Sequence, residues 1–87
     1  MLDRTKFSSK NRVVDLVSQI LARRSINRPV SDHDDLRECG LSSLDLVNLM
    51  LAVETEFDVK IPDKDMTPSN FRSVSKIDAL VNALRAA

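Results

Sequence analysis

The sequence predicts an all-α domain, and its composition and hydrophobic pattern carry that prediction. Of its 87 residues, 43% are hydrophobic, and one glycine and three prolines supply few turns for a strand-rich protein. The apolar residues also recur at helical spacing. A chain of this length can build one small domain with a modest core, so we expect residues 1–87 to form a single domain.

Composition and charge argue against nucleic-acid binding and against a membrane contact. There are three Phe but neither Trp nor Tyr, so the aromatic platforms that stack single-stranded nucleic acid are missing. Residues 31–65 hold ten acidic and three basic side chains in a chain of zero net charge, which points to basic protein partners and not to nucleic acid. The charged N-terminus and the single Cys39, with no long apolar run, favour a cytoplasmic protein without a membrane contact.

The first and second helices follow from apolar spacing. The first is predicted over residues 11–24, with Ser8 or Ser9 as its cap. A long connection over residues 25–42 follows, in which residues 34–38 could make one helical turn. The central helix is predicted over residues 43–58 and carries two neighbouring apolar stripes: Leu44, Val47 and Leu51 on one, and Leu46, Met50, Val53 and Phe57 on the other.

Two more helices complete the predicted layout. Pro62 stops the central helix from continuing, because proline lacks the backbone N–H and disfavours a helical conformation in the residue before it. Thr67 as N-cap and Pro68 at the first helical position predict a short third helix. Ser73 then precedes a closing helix that ends near Ala86. The prediction is a four-helix bundle with a short third helix and a long loop between helices one and two.

Two adjacent serines stand where the loop meets the central helix. One is explained as an N-cap, whose hydroxyl accepts a hydrogen bond from the first turn. A helix N-terminus also favours phosphate, so a serine at the first helical position could carry a phosphodiester. The stretch DLRECGLSSLDLVNLMLAVETEFDVKIP, residues 35–62, resembles the phosphopantetheine-bearing region of the acyl carrier proteins. In that family an apolar residue and Gly lead to Asp-Ser-Leu, and Glu-x-x-Phe and Ile-Pro follow.

The resemblance implies the site and its chemistry. It makes Ser43 the attachment site for 4'-phosphopantetheine from coenzyme A, with Leu44 as the leucine that follows and Ser42 in the family's aspartate position as the cap. It implies a discrete, monomeric carrier that shuttles thioester-bound acyl groups and is not itself an enzyme. A phosphopantetheinyl transferase, a loading enzyme and downstream synthase enzymes would be its partners. A cleft that shelters the acyl chain could be lined by Leu46, Val47, Met50, Val53, Ile61 and Phe71.

Several alternatives stay open on the residues alone. The carried group could be a fatty acyl, polyketide-type acyl, aminoacyl or peptidyl unit, or the chain could be an unmodified helical interaction module. The run of residues 32–35, Asp-His-Asp-Asp, lacks the EF-hand spacing and glycine, so we predict no metal site there. No acid or base partner for a catalytic serine is evident, since His33 is the only histidine. Cys39 is expected to be a small buried hydrophobe.

Departures from the family pattern predict a specialised pathway in place of housekeeping fatty acid synthesis. The chain has Ser42 where Asp is usual, Asn48 where Glu is usual and Thr55 in a stretch that is commonly Glu. Of the acidic positions it keeps Asp45, Glu54 and Glu56, of which Asp45 and Glu54 are predicted to dock partners through charge. About two extra residues around TPSNF are expected to reshape the surface beside the arm.

Overall fold

The computed structural model describes residues 9–86 and is all-helical over that range. It contains three α-helices, α1 (Ser9–Arg23), α2 (Ser43–Phe57) and α3 (Val74–Ala86), and a single 3-10 turn at Asp63–Asp65. The all-α prediction is confirmed, and the predicted helix ends are met within two residues. None of these helices combines the length and the apolarity that crossing a membrane requires.

The core lies where α1 packs against both α2 and α3. Each helix contributes a stripe of apolar residues that is almost completely buried, whereas the second predicted stripe of α2, formed by Leu44, Val47 and Leu51, is exposed. The innermost residues include Val13, Val17 and Leu21 of α1, Leu46, Leu49 and Val53 of α2, and Val74, Ile77 and Val81 of α3. Ser73 precedes α3 as predicted, and its hydroxyl accepts the backbone N–H of Lys76 at 3.2 Å, as a cap would.

The long connection between α1 and α2 is held down by its own buried residues. Leu36 and Leu41 are buried in the core, and the Leu36 N–H donates to the Arg72 carbonyl at 2.7 Å. The Cys39 N–H donates to the Asp35 carbonyl at 3.1 Å, which closes one helical turn close to the predicted one. Gly40 follows with φ +117°, a backbone conformation that strains any residue with a side chain and that glycine adopts readily.

The short third helix predicted to start with Thr67 as N-cap and Pro68 at its first position does not form, so the described chain has three α-helices and not four. The Thr67 hydroxyl does accept the Asn70 N–H at 3.3 Å, as a cap would. However, the backbone bonds that follow are only the short i to i+3 kind, from Asn70 to Thr67 and from Phe71 to Pro68. Phe71 must reach the core, and α3 starts three residues later, so the segment makes an isolated turn.

Candidate functional site: the N-terminal end of α2

Ser42 is the N-cap of α2, as predicted. Its backbone is extended, with φ −81° and ψ 172°, and its Oγ accepts the Asp45 N–H at 3.1 Å. The Asp45 carboxylate in turn accepts the Ser42 N–H at 2.9 Å, so the two residues form a reciprocal capping box. The oxygen of Ser42 is therefore held by the helix that it caps.

Arg24, just past the end of α1, completes this cluster. Its Nε lies 2.8 Å from Asp45 Oδ2, and its guanidinium also donates to Ser42 Oγ at 3.3 Å. Asp45 is only 6% exposed. The Ser42 backbone N–H, and after it Arg24, lower the pKa of the Asp45 carboxyl, although burial acts in the opposite direction. The pair ties the end of α1 to the start of α2.

The structure thus gives Asp45 a role that the sequence reasoning missed. Asp45 was assigned to a docking surface, but its carboxylate faces inward and is used by the capping box and by Arg24. A signal was present in the sequence, because a serine followed three residues later by a side chain that can accept the cap's N–H is the capping-box pattern. The partner Arg24, distant in sequence, carried no such signal.

Ser43 occupies the first position of α2 and is exposed. Unlike that of Ser42, its hydroxyl makes no hydrogen bond within residues 9–86. The first-turn N–H groups of a helix and the positive end of its dipole lie around this position and favour a phosphate. The structure therefore places the predicted attachment residue where its oxygen is accessible and its neighbourhood suits an anion.

A groove of about 340 Å³ opens beside Ser43. Most of its wall is apolar, and the segment after the 3-10 turn faces α2 across it; the lining residues are Arg37, Ser43, Leu46, Val47, Met50, Met66 and Pro68. The predicted cleft is thus partly right, because Leu46, Val47 and Met50 lie in this wall. Val53, Ile61 and Phe71, which were predicted with them, are fully buried in the core. The lining includes no histidine or carboxylate that could activate the serine.

The outward face of α2 carries one of the two apolar stripes that the sequence predicts, and this stripe is exposed. Leu44, Val47 and Leu51 are 66%, 47% and 53% exposed, and they are the large exposed hydrophobic residues of the described chain. Meanwhile Glu54 accepts the Ile61 N–H at 2.8 Å, and Glu56 pairs with Arg12 at 2.8 Å. The carboxylates of Glu54 and Glu56 make contacts within the chain, and the large exposed hydrophobic side chains of α2 are aliphatic.

The loop features weighed in the sequence have structural explanations. Asp32 pairs with Lys10 at 3.2 Å, and Asp34 accepts the Ser31 N–H at 2.9 Å. Over residues 9–86 no three His, Cys, Asp or Glu side chains come together in a way that could hold a metal ion. Cys39 is a buried free cysteine, as predicted, and its burial raises the pKa of the thiol.

Comparison with known proteins places this site in context. A family model described as a phosphopantetheine attachment site matches residues 11–84. The chain is 43% identical over 72 residues to aminoacyl carrier protein 1 of Bradyrhizobium diazoefficiens, covering 83% of this chain and 80% of that protein. It is 39% identical over 77 residues to aminoacyl carrier protein 2 of the same organism, covering 88% and 86%. The mitochondrial acyl carrier protein of Saccharomyces cerevisiae is 39% identical over 66 residues, covering 69% of this chain and 50% of that protein.

The fold has solved counterparts as well. One is a chain in the crystal structure of Bradyrhizobium japonicum glycine:[carrier protein] ligase complexed with glycylated carrier protein, with 42% identity and a TM-score of 0.70 over 82% of this chain and 96% of that one. Another, from the same ligase complexed with cognate carrier protein and an analogue of glycyl adenylate, matches with 42% identity and a TM-score of 0.72 over 85% and 96%.

Proposed function

The chain belongs to the phosphopantetheine attachment family of carrier proteins, and we propose that Ser43 is the residue that bears the 4'-phosphopantetheine arm. The chain is a carrier and not an enzyme, since the reactive group is the thiol at the end of the arm. The observation that carries the assignment is the difference between two neighbouring hydroxyls. Ser42 Oγ is engaged by the Asp45 N–H, whereas Ser43 Oγ makes no hydrogen bond within residues 9–86 and Ser43 lines the groove.

The residues around Ser43 fit a phosphodiester-linked arm. The hydroxyl supplies the ester oxygen, and the first turn of α2 supplies N–H groups that favour the negative phosphate. The groove of about 340 Å³ gives the arm an apolar wall on one side. The groove lining contains no acid or base, so we assign removal of the hydroxyl proton to the transferase. The serine oxygen would attack the pyrophosphate of coenzyme A, form the new phosphodiester and release adenosine 3',5'-bisphosphate.

Partner enzymes would dock on the exposed aliphatic stripe of Leu44, Val47 and Leu51, which we call the α2 stripe. The stripe begins at the residue after Ser43, so an enzyme that covers it also faces the attachment site. Exposed apolar patches of this kind mark interaction sites, and burying them supplies affinity that is not screened by salt. The phosphopantetheinyl transferase, the loading enzyme and the downstream synthase enzymes would share this surface.

The carried group that the comparisons favour is an aminoacyl unit. The two aminoacyl carrier proteins match a larger share of the chain than the acyl carrier protein of yeast does. The matched crystal structures contain a glycine:[carrier protein] ligase, which loads glycine on a carrier of the same fold. We therefore expect an ATP-dependent ligase to load this chain with a small amino acid as a thioester, in a specialised pathway. A cytoplasmic location and a monomeric state stay predictions from the sequence.

The function is tested in two steps. The apo protein is incubated with coenzyme A and a promiscuous phosphopantetheinyl transferase, and its intact mass is measured. The modified protein is then offered to a carrier-protein ligase with ATP and single amino acids, and beside it to a malonyl transferase. We expect one phosphopantetheinyl mass in the first step and a further aminoacyl mass in the second, with little malonyl loading.

Each step can fail separately. No mass gain with coenzyme A would leave an unmodified interaction module as the better description. A mass gain followed by malonyl loading as rapid as that of a housekeeping acyl carrier, with no aminoacyl loading, would overturn the aminoacyl assignment and keep the carrier function.

A further inference from the structure

Arg37 is a cation on the rim of the Ser43 groove. Its backbone is fixed on both sides, since its N–H donates to Asp35 Oδ1 at 2.9 Å and its carbonyl accepts the Gly40 N–H at 3.2 Å. Its side chain is exposed and lines the groove together with Ser43. Within the described range no carboxylate pairs with its guanidinium, whereas Arg12 and Arg24 each have such a partner.

Arg72 provides a comparison within the same surface. Its side chain is 69% exposed, and its Nε pairs with Asp35 Oδ2 at 3.7 Å. Arg37 contacts the same carboxylate only through its backbone N–H. Both arginines line a second groove, formed with Asp35, Pro68 and Ser69. Only Arg37 also lines the groove that contains Ser43. The two cations therefore share a neighbourhood but differ in their access to the attachment site.

We propose that Arg37 pairs with the phosphodiester of the arm carried on Ser43 and thereby holds the start of the arm over the groove. This inference rests on the proposed function of Ser43. A guanidinium is suited to the task because its planar donors match two phosphate oxygens at once. The α2 N-terminus faces the same phosphate with its first-turn N–H groups, so the anion is held from two directions. Arg37 is a positioning residue, because it does not touch the thiol at which the acyl group is carried.

The test compares apo and modified forms of four proteins: the natural chain, Arg37→Gln, Arg37→Lys and the matched control Arg72→Gln. Thermal unfolding is followed for each, and Arg Nε–Hε resonances are recorded by NMR before and after modification. Attachment of the arm should shift the Arg37 resonance and leave that of Arg72 in place. The change in Tm on modification should be lower by about 1–5 °C in Arg37→Gln, since an exposed ion pair is lost. It should be close to the natural value in Arg72→Gln, and Arg37→Lys should restore only part of it, because lysine keeps the charge but loses the planar pair of donors.

Two results would overturn the proposal while leaving Ser43 as the attachment site. One is an Arg37 resonance that does not move on modification. The other is a change in Tm on modification that is the same in Arg37→Gln as in the natural chain, or is lowered equally by Arg72→Gln. A protein that gains no phosphopantetheinyl mass would instead refute the proposed function, so the two failures are told apart by the intact mass.

Discussion

The two apolar stripes of α2 are alike in sequence but differ in burial, since one lies in the core and the other in solvent. Leu46, Met50 and Val53 form the inner stripe together with Leu49, and these residues pack against α1 and the loop residues of the core. The α2 stripe of Leu44, Val47 and Leu51 lies in solvent. A helix in a small domain needs only one buried face, and an exposed second aliphatic face is typical of an interaction site. In this carrier we assign that role to the enzymes that act on Ser43.

The largest difference between the stripes is expected in stability. Leu49→Ala should lower the free energy of unfolding by about 2–5 kcal/mol, because it leaves a cavity in a fully buried position. Leu51→Ala removes the same atoms from a side chain that is 53% exposed, and should change it by about 0.5 kcal/mol or less. Urea unfolding of both variants measures this. Similar losses at the two positions would mean that the α2 stripe is part of the core.

The α2 stripe should matter for the rates at which the transferase and the ligase act on the chain. Val47→Asp puts a charge into the α2 stripe, and should lower kcat/KM of the transferase and of the ligase at least about tenfold by burying an unpaired carboxylate at the interface. The matched control is Ala83→Asp, which adds the same charge to an exposed position of α3. Kinetics with intact-mass detection compare the two. If kcat/KM for both variants equalled that for the natural chain, docking through the α2 stripe would be excluded.

Asp45, in the capping box at the start of α2, should act on folding. Asp45→Asn should cost about 1–2 kcal/mol at neutral pH, since it breaks the pair with Arg24 and weakens the capping box. The folded-state pKa of Asp45 is lowered, so its contribution is fully present above the unfolded pKa of about 4 and is lost as the pH falls through the folded pKa. Urea unfolding at pH 7 and in acid should show the gap between variant and natural chain narrowing. A gap that is equal at both pH values would contradict this account of Asp45.

The smallest effect on stability is expected at the rim of the α2 stripe. Asn48 and Thr55 are exposed, so changing both to Glu should alter the free energy of unfolding by about 0.5 kcal/mol or less. The same change, together with Ser42→Asp, should raise the rate at which housekeeping malonyl transferase and condensing enzymes use the modified protein as a substrate. The reason is that charges at the edge of an interface select partners more than they stabilise the fold. The measurement is the turnover of these enzymes with the variant, the natural chain and a housekeeping carrier, compared under the same conditions. No gain would place the specificity elsewhere, and equal turnover of the natural chain would contradict a specialised carrier.

The sequence predicted what local pattern determines. Apolar spacing located α1, α2 and α3, serine chemistry located the cap at Ser42, and Cys39 is the small buried hydrophobe that its residue type predicted. Ser43 was singled out by its place in the motif, and the structure adds that its hydroxyl is exposed beside a groove.

What the sequence could not predict depends on contacts across the chain. The inward turn of Asp45 needs Arg24, and the difference between the two stripes of α2 is decided by where α1 lies. The Thr67 and Pro68 signal was read as a helix start, yet such a signal describes only the first turn. Whether a helix continues beyond it depends on how soon Phe71 must enter the core and α3 must begin.

The most direct test of the central claim is to locate the arm between the two serines. The natural chain, Ser42→Ala and Ser43→Ala are incubated with coenzyme A and transferase, and their peptides are mapped by tandem mass spectrometry. We predict that the natural chain and Ser42→Ala carry one phosphopantetheinyl group on Ser43, with Ser42→Ala less stable by about 0.5–2 kcal/mol from the lost cap, and that Ser43→Ala carries none. A group mapped to Ser42, or modification of Ser43→Ala, would contradict the assignment.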